Sequence, residues 1–311
     1  MGARPDVQVA VISYNVRELL RACLESIYRC AADEGIEARV WVWDNASHDG
    51  SAGLVAAEFP QAVLCRSDVN GGYVGGTNSV LRAMGGSTVP VLLLNPDTEL
   101  TPGALTTLLE DMELLPAAGV IGPGLVYGDG TPQHSAFRFP DLAQTFLDFY
   151  PLHGRLTESR LNGRYPEQEA GGWPFLCDHP LGAAMLLRPE MLREIGGMDP
   201  GYFLYCEEVD WCRRALAAGW EVWSDPRAVI VHHAGRSTTQ TRRESYTRLW
   251  CSRYRYFAKH HGRAYLGAVR AVVQVGLAGE RVRLEGRLRH GVIDEAQASQ
   301  SRATLADVAR L

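Results

Sequence analysis

The order of apolar and polar residues in the first third of the chain predicts strands that alternate with helices. Residues 7–12, 40–43 and 89–94 are mostly apolar runs, the pattern of buried strands in a parallel sheet. Between the first two runs, apolar residues recur at the spacing of one helix face: Val16, Leu19, Leu20, Cys23, Leu24 and Ile27. This alternation predicts an α/β fold with a mostly parallel central sheet flanked by helices.

Caps, glycines and β-branched residues predict the shorter elements. They are a helix over residues 51–59 capped by Ser51, a glycine-rich loop over 70–76, a helix over 78–84, a helix over 210–218, and two separate strands over 221–223 and 228–233. Residues 246–289 have a helical tendency, with Arg interleaved among Leu, Val, Tyr and Ala. The chain is therefore expected to end in a helical extension.

Carboxylates and amides recur where the predicted strands end. Asn15, Asp44, Asn45 and Asp97 each follow a strand-like run. Open α/β sheets bind ligands at the carboxyl ends of their strands, so these side chains are expected to share one ligand site. Asp97, which follows a rigid proline, suits a divalent cation on a diphosphate. The alternatives are a type I turn around Asp97 and an Asx turn at Asp44 and Asn45.

Composition and cysteine usage indicate an ordinary intracellular protein. The chain has 311 residues, of which 46% are hydrophobic and 22% charged, enough for a sizeable core. The sequence shows no signal peptide and no apolar stretch long enough to span a membrane. Its seven cysteines are odd in number and scattered, which favours reduced thiols over disulfides or a zinc site. We therefore expect a cytoplasmic protein.

The net charge of −5 hides a strong asymmetry along the chain. Residues 1–235 carry 16 Arg and Lys against 30 Asp and Glu, a net −14, whereas residues 236–289 carry 13 against 3, a net +10. A basic segment on an acidic body predicts a surface that faces something anionic, either a membrane or a phosphorylated ligand. A solvated face of a helical bundle is the alternative for residues 246–289.

Three motifs together carry a family resemblance. They are Ser13-Tyr14-Asn15, the stretch Trp-Asp-Asn-Ala-Ser-His-Asp-Gly-Ser over residues 43–51, and Asn-Pro-Asp-Thr-Glu over residues 95–99. In this order they resemble the family 2 glycosyltransferases, and within them the rhamnosyltransferase-like enzymes of bacterial cell-surface polysaccharide assembly. The resemblance runs from residue 7 to about residue 262. It implies a GT-A fold, a nucleotide-sugar donor, a divalent metal and inversion at the anomeric carbon.

The resemblance also implies how the donor is held. It assigns these residues to the donor site: Ser13, Tyr14, Asn15, Asp44, Asn45, Gly72, Asn78, Asn95 and Arg236. Among them, Ser13, Tyr14 and Asn15 would line the nucleobase pocket and Asp44 would read the base. Residues 70–78 resemble the family's Asn-Leu-Gly-Phe loop beside the nucleotide, and a flexible turn is the alternative reading of this glycine cluster.

The implied metal is Mg²⁺ or Mn²⁺, bound by few protein ligands. Asn95 stands where the family often has the first carboxylate of an Asp-x-Asp motif, so Asp97 is the expected ligand. His232 is the second ligand that the resemblance implies, either on the metal or on the diphosphate. His233 is its alternative, because two adjacent residues of a strand point to opposite faces.

Residues 207–210 resemble the family's acidic motif and imply the catalytic base. Inverting transfer needs a base that takes the proton of the acceptor hydroxyl. The family pattern places that base at Glu208, with Glu207 as the alternative, because this chain has Glu where Asp is usual. An acidic first turn of a helix would explain the same residues without catalysis.

The acceptor site is expected around a small-residue floor. Gly182 and Ala183 would leave room for a sugar, and Trp211 could stack on its ring. A core position is the alternative for Trp211.

These inferences together predict an inverting, metal-dependent glycosyltransferase. It would move a sugar, with dTDP-rhamnose the favoured donor and another hexose the alternative, to a glycan or a lipid-linked acceptor. The expected domains are a catalytic one over residues 1–240 and a basic helical extension over 241–311. Peripheral contact with the inner face of the cell membrane and a homodimer are open, and no nucleic-acid partner is expected. One alternative function is that of a sugar nucleotidyltransferase, which would require a basic phosphate-binding loop after the first strand. The other is that of a non-catalytic glycan-binding relative.

Overall fold

The computed structural model describes residues 5–233 and 242–311. Its first elements are β1 (Val7–Ser13), α1 (Arg17–Glu34), β2 (Ala38–Asp44), α2 (Ser51–Glu58), β3 (Val63–Arg66), α3 (Gly72–Ala83), β4 (Val91–Leu94), β5 (Thr98–Leu100), α4 (Ala104–Leu114) and β6 (Ala118–Val126). Short elements follow: β7 (Pro132–Gln133), β8 (Ala136–Phe137), α5 (Leu142–Phe149), α6 (Gly154–Thr157), a 3-10 helix (Arg160–Asn162), α7 (Pro166–Gly171), β9 (Phe175–Leu176) and β10 (His179–Pro180). The chain continues with β11 (Ala184–Leu187), α8 (Pro189–Ile195), α9 (Glu207–Ala217), β12 (Glu221–His232), α10 (Arg242–Arg289) and α11 (Glu295–Ala309).

The central sheet confirms the predicted α/β architecture. In the described part of the chain its strands lie in the order β3-β2-β1-β4-β11-β6-β12-β5. The four strands from β3 to β4 run parallel, as do β6 and β12, whereas β11 is antiparallel to both of its neighbours. Because β1, β2 and β4 are parallel, their carboxyl ends meet at one edge of the sheet. Ser13 lies opposite Asp44 there.

The amphipathic pattern of α1 correctly identified its buried face. Four residues on this face are fully buried: Leu20, Cys23, Leu24 and Ile27. They pack in the core with the fully buried Leu92 and Leu94 of β4. The apolar run before Asn95 is therefore a strand with both faces covered, which is the burial typical of parallel sheets.

Two predicted boundaries are wrong, at the starts of α2 and α3. Ser51 is the first residue of α2, after the left-handed Gly50, and Asp49 Oδ1 accepts hydrogen bonds from the Ser51 amide and hydroxyl. The expected glycine-rich loop is largely helix, since α3 begins at Gly72. Gly72 has a φ of 73°, which favours glycine at this position.

Two further element boundaries, those of α9 and β12, differ from the prediction. Helix α9 begins at Glu207 rather than at Asp210, so both candidate catalytic acids lie in its first turn. The two expected strands form one strand, β12, because the register shift between Asp225 and Val229 absorbs the irregular residues without ending the pairing with β6.

The chain divides into two compact units. The first holds the central sheet, and its described residues are 5–138, 165–203 and 207–233. The second consists of residues 139–164 and 204–206 together with the described C-terminal residues 242–311. The division into domains over residues 1–240 and 241–311 stays a prediction, and residues 139–164 already pack with the C-terminal helices.

The second unit is built on aromatic packing between α5 and α10. Phe149 stacks on Trp250 with ring centroids 5.5 Å apart, and Gly276 leaves the space that the Phe149 ring fills. Gly262 interrupts the helical geometry of α10, and a capping box at Asp294 starts α11. Within the described ranges we find no helix long and apolar enough to cross a membrane.

Candidate active site

Two polar groups at the ends of β1 and β2 point to a ligand. Asp44 is only 4% exposed, and its Oδ2 accepts a hydrogen bond from the Ser47 amide at 3.2 Å. Asp44 Oδ1 and the buried Ser13 hydroxyl have no hydrogen-bond partner among the described residues. Buried polar atoms are nearly always paired, so this neighbouring pair is a ready binding position for polar groups of a ligand.

Tyr14 and Asn15 differ in how accessible their side chains are to a ligand. The Tyr14 side chain is 44% exposed beside Ser13, so its ring is accessible to a ligand. Asn15 has a left-handed backbone, its Oδ1 accepts from the His48 amide at 2.7 Å, and its own amide donates to Ser47 Oγ at 3.0 Å. Asn15 therefore joins the loops after β1 and β2 through one side-chain and one backbone hydrogen bond.

The side chains of Asn45 and Asn78 hydrogen-bond to the protein backbone. Asn45 Oδ1 accepts from the Gly71 amide at 3.3 Å and its Nδ2 donates to the Gly72 carbonyl at 2.8 Å. Asn78 makes the same two-point contact with Met198, at 2.9 Å for both bonds. Both amide groups thus hold neighbouring segments in place, and their contact with the donor stays a prediction.

Gly72 and Tyr73, at the start of α3, contact the segment that precedes the acidic motif. The Tyr73 amide donates to the Phe203 carbonyl at 2.9 Å. A Cβ on Gly72 would lie 2.3 Å from the same carbonyl oxygen, so only glycine permits this approach. The Tyr73 hydroxyl lies 3.4 Å from the Gly182 carbonyl oxygen, and burial together with the charges of Glu207 and Glu208 raises its pKa. Sequence reasoning missed Tyr73, although it follows the glycines directly.

Asp97 and His232 form the candidate metal-binding pair. Asp97 is 2% exposed, and its Oδ1 lies 3.6 Å from His232 Nε2. Burial lowers the pKa of His232, against the opposing effect of Asp97, which favours the neutral imidazole that a metal requires. His233 points away and contacts Glu99 Oε1 at 2.6 Å, so His232 is the member of the pair beside Asp97.

The donor set fits a hard divalent cation only in part. Among the residues that the structure describes, no three His, Cys, Asp or Glu side chains gather into a complete metal site. A carboxylate and an imidazole suit Mg²⁺ or Mn²⁺ when the phosphates of a ligand supply further oxygens. The Asn95 backbone is hydrogen-bonded within the protein: its amide donates to the Ala183 carbonyl, and its carbonyl accepts from Thr98. Arg236 lies outside the described residues.

The two candidate bases occupy different environments in the first turn of α9. Glu207 is 5% exposed, its Oε2 has no hydrogen-bond partner in the described ranges, and burial and the charge of Glu208 raise its pKa well above the usual value. Burial raises the pKa of Glu208 to about 7. Tyr205 and Cys206, which precede them, both have left-handed backbones, with φ of 72° and 61°. Such strain is common where a chain must aim functional groups.

Gly182 places Glu208 at the candidate acceptor floor. A Cβ on Gly182 would lie 3.3 Å from Cγ and 3.4 Å from Cδ of Glu208, so the two residues are in contact. Ala183 is buried, and its carbonyl accepts a hydrogen bond from the Asn95 amide. Trp211 is corrected to a core residue: it is 2% exposed, and its Nε1 donates to the Gly196 carbonyl at 2.9 Å.

Comparison with known families fits this arrangement. The sequence model described as Glycosyl transferase family 2 matches residues 8–193, which is more than half of the chain. The chain belongs to glycosyl transferase family 2. It is therefore a glycosyltransferase, and its similarity to rhamnosyltransferases places it in the rhamnosyltransferase-like group of that family.

Two curated relatives carry the rhamnosyltransferase similarity. An N-acetylglucosaminyl-diphospho-decaprenol L-rhamnosyltransferase of Mycobacterium tuberculosis is 27% identical over 249 residues, covering 76% of this chain and 79% of its own. The rhamnosyltransferase WbbL of Escherichia coli is 31% identical over 84 residues, which is 27% of this chain and 32% of its own.

Solved structures confirm the GT-A fold of this glycosyltransferase. A mannosyltransferase from Pyrobaculum calidifontis in complex with GDP-Man and Mn²⁺ superposes with a TM-score of 0.57 at 16% identity, over 99% of this chain and 86% of its own. GalNAc-T7 with UDP, GalNAc and Mn²⁺ gives a TM-score of 0.52 at 13% identity, over 84% of this chain and 51% of its own.

Proposed function

We propose that this glycosyltransferase moves rhamnose from dTDP-rhamnose to a saccharide on a lipid diphosphate, with inversion at the anomeric carbon. The observation that carries the proposal is the contact of Glu208 with Gly182, which brings a carboxyl group with a pKa of about 7 to the floor of a sheet-edge site. A carboxyl of this kind is half ionised near neutral pH, as a general base should be.

The donor would bind along the ends of β1 and β2. Asp44 Oδ1 and the Ser13 hydroxyl, both buried and without partners in the described ranges, suit the polar edge of a nucleobase or a ribose hydroxyl. The exposed Tyr14 ring could stack on the base. The preference for rhamnose rests on the names of the relatives, and a hexose donor is the alternative.

Asp97 and His232 would hold a divalent cation together with the donor diphosphate. When bound, Mg²⁺ or Mn²⁺ would stabilise the negative charge that develops on the leaving nucleoside diphosphate. The contribution of this chain is a buried carboxylate beside a buried imidazole whose pKa is lowered by burial. The Mn²⁺ in the two solved relatives supports this choice of metal.

Glu208 would accept the proton of the attacking hydroxyl. Glu207 has the more strongly raised pKa of the pair, so it is expected to keep its proton while Glu208 loses its own. A protonated Glu207 leaves Glu208 without a second negative charge beside it, which makes Glu208 easier to ionise. This division of roles favours Glu208 over Glu207 as the base.

The acceptor proposal follows from one relative and from the basic end of the chain. The Mycobacterium tuberculosis relative is named for a saccharide on a polyprenyl diphosphate. Such an acceptor lies in a membrane, and the net +10 of residues 236–289 would favour residence at an anionic membrane surface. We accordingly propose a catalytic domain over residues 1–240 and a membrane-facing extension over residues 241–311.

The proposal is tested by a transfer assay with defined substrates. The purified enzyme is incubated with Mn²⁺, a synthetic N-acetylglucosaminyl diphosphate lipid and one nucleotide sugar at a time, and the product is identified by mass spectrometry and its anomeric configuration by NMR. We expect transfer from dTDP-rhamnose with inversion. Transfer from another hexose donor and not from dTDP-rhamnose would mean that the proposed donor is wrong. A product that retains the anomeric configuration of the donor would overturn the inverting mechanism.

A further inference from the structure

An exposed apolar face lies on α5 and α10 of the second unit. Val275 is 63% and Val282 is 69% exposed, and they lie seven residues, or about two helical turns, apart on one side of α10. Phe146 of α5 is 41% exposed and stacks on Tyr150 with ring centroids 5.0 Å apart. The Tyr150 hydroxyl donates to the Val275 carbonyl at 3.1 Å, which joins both helices into one surface. We call Phe146, Tyr150, Val275 and Val282 the α5–α10 face.

The same side of α10 contains no charged residue over a long stretch. Small exposed residues continue the line of the two valines: Ala264, Ala268, Ala271 and Ala278. Gly276 and Gly279 of α10 lie directly under the Phe149 and Tyr150 rings, so α5 packs close to the helix at the border of this surface. Three exposed side chains of substantial size, together with the half-buried Tyr150, thus form the centre of a continuous apolar surface on two helices.

The charged residues around the α5–α10 face are predominantly positive. All three acidic residues of α10 are already paired, Glu244 with Arg248, Glu280 with Arg283 and Glu285 with Arg302. Three exposed cations of the same helix, Arg263, Arg281 and Arg287, form no ion pair within the described ranges. The residues of the second unit carry 17 Arg and Lys against 9 Asp and Glu, a net +8.

We propose that the α5–α10 face docks on the surface of a bilayer that contains anionic lipid. The inference deepens the lipid-linked acceptor of the proposed function and rests on it. An apolar face with aromatic residues and flanking arginines is the composition of segments that lie in a membrane interface. The valines and Phe146 enter the boundary between head groups and acyl chains, while the unpaired arginines meet the lipid phosphates.

Charge complementarity favours a bilayer over a second copy of the chain. Two copies paired through this face would bring Arg263, Arg281 and Arg287 close to the same residues of the other copy, and like charges brought together oppose association. An anionic lipid surface instead attracts these three cations. Pairing of two copies is therefore the outcome that would replace the proposal.

The test is vesicle flotation of the full-length enzyme. Vesicles of phosphatidylcholine alone are compared with vesicles that also contain phosphatidylglycerol, at low and high salt. We expect binding to the anionic vesicles only, weakened by salt. The double variant Val275→Asp/Val282→Asp should bind them about tenfold or more weakly, and the triple variant Arg263→Gln/Arg281→Gln/Arg287→Gln should lose about fivefold per residue at low salt.

The matched control is Leu114→Asp, at an apolar residue that is 75% exposed at the end of α4 in the first unit. It should leave flotation unchanged, and circular dichroism should show that all variants fold. Equal flotation of the valine variant and the wild type would overturn the proposal. So would a wild-type dimer, measured by light scattering, that the valine variant converts to monomer without any loss of lipid binding.

The outcome is separate from that of the proposed function. With a water-soluble acceptor that lacks the lipid tail, the valine variant should keep the turnover of the wild type. Loss of transfer by both proteins with every acceptor would reject the proposed function, whereas intact transfer with unchanged flotation would reject only the docking surface.

Discussion

The side chain of Glu208 lies against the backbone of Gly182, with the Glu208 Cγ only 3.3 Å from the position of an added Cβ. This contact relates the first turn of α9 to the segment that leads into β11. It fixes one wall of the space above Gly182, where an added Cβ would require Glu208 to shift by a few tenths of an ångström. The position of the proposed base is thus set by a residue whose contribution is the absence of a side chain.

Replacing Gly182 with alanine should displace the Glu208 carboxylate. Glu208 must shift by a few tenths of an ångström, and small misplacements of a base are costly, so we expect kcat to fall about tenfold or more while the KM for the donor changes little. Steady-state kinetics at saturating acceptor measures this. The control is Gly53→Ala in α2, which has nothing within 4 Å of the new methyl group and should leave kcat unchanged. An unaffected Gly182→Ala enzyme would show that this contact does not position the base.

Glu208→Gln should retain donor binding and lose turnover. The amide keeps the shape of the side chain and cannot accept the proton, so we expect kcat to fall by about 10²-fold or more. Donor affinity measured by calorimetry should match that of the wild type. If Glu207→Gln is the inactive variant and Glu208→Gln keeps its activity, the roles of the two acids are exchanged.

Glu207→Gln should stabilise the fold at neutral pH. The folded-state pKa of Glu207 is raised above its usual 4.5, so the wild type loses stability as pH rises from that value toward the folded pKa. At neutral pH the unfolded wild type is favoured because it can release the Glu207 proton that the folded state retains, and glutamine has no such proton, so we expect a gain of roughly 1–2 kcal/mol in unfolding free energy. Urea denaturation at pH 5 and pH 8 should show a larger gain for the variant at the higher pH. A gain that is the same at both values would contradict the buried acid as its source.

Gly72→Ala should disrupt the contact between the start of α3 and Phe203. The substitution combines a left-handed φ of 73° with a Cβ placed 2.3 Å from the Phe203 carbonyl oxygen, and we expect it to destabilise the fold by about 2–4 kcal/mol. Gly35→Ala is the control, because Gly35 has a similar φ of 68° and nothing within 4 Å. Thermal unfolding compares the two. Equal losses of stability in the two variants would mean that backbone strain alone is responsible and that Phe203 moves aside at little cost.

Much of the sheet and of its ligand edge could be predicted from the sequence. The apolar run that ends at Leu94 and the helical spacing of α1 depend on burial, which a single sequence displays directly. The same is true of Asp44 and Asp97, because a polar residue after a buried strand falls at the sheet edge by geometry.

The roles of the amides could not be predicted because they depend on partners far along the chain. Asn78 binds the Met198 backbone, and Asn45 binds the Gly71 amide and the Gly72 carbonyl. Nothing in the local sequence distinguishes these contacts from contacts with a ligand. For Trp211 a position in the core was the alternative to stacking on a sugar, and only the packing around it distinguishes the two. The start of α3 was missed because a helix that opens on glycines has weak propensity and is stabilised by tertiary contacts.

The pH dependence of kcat tests the central claim, that Glu208 is the general base, most directly. A base must be ionised to accept a proton, and burial sets the pKa of Glu208 at about 7. With saturating substrates and metal, kcat should rise with pH, reach half of its maximum near pH 7 and level off above, and Glu207→Gln should keep a rising profile of this form. A wild-type kcat that is unchanged between pH 5.5 and 8.5, with chemistry shown to limit the rate, would contradict the assignment.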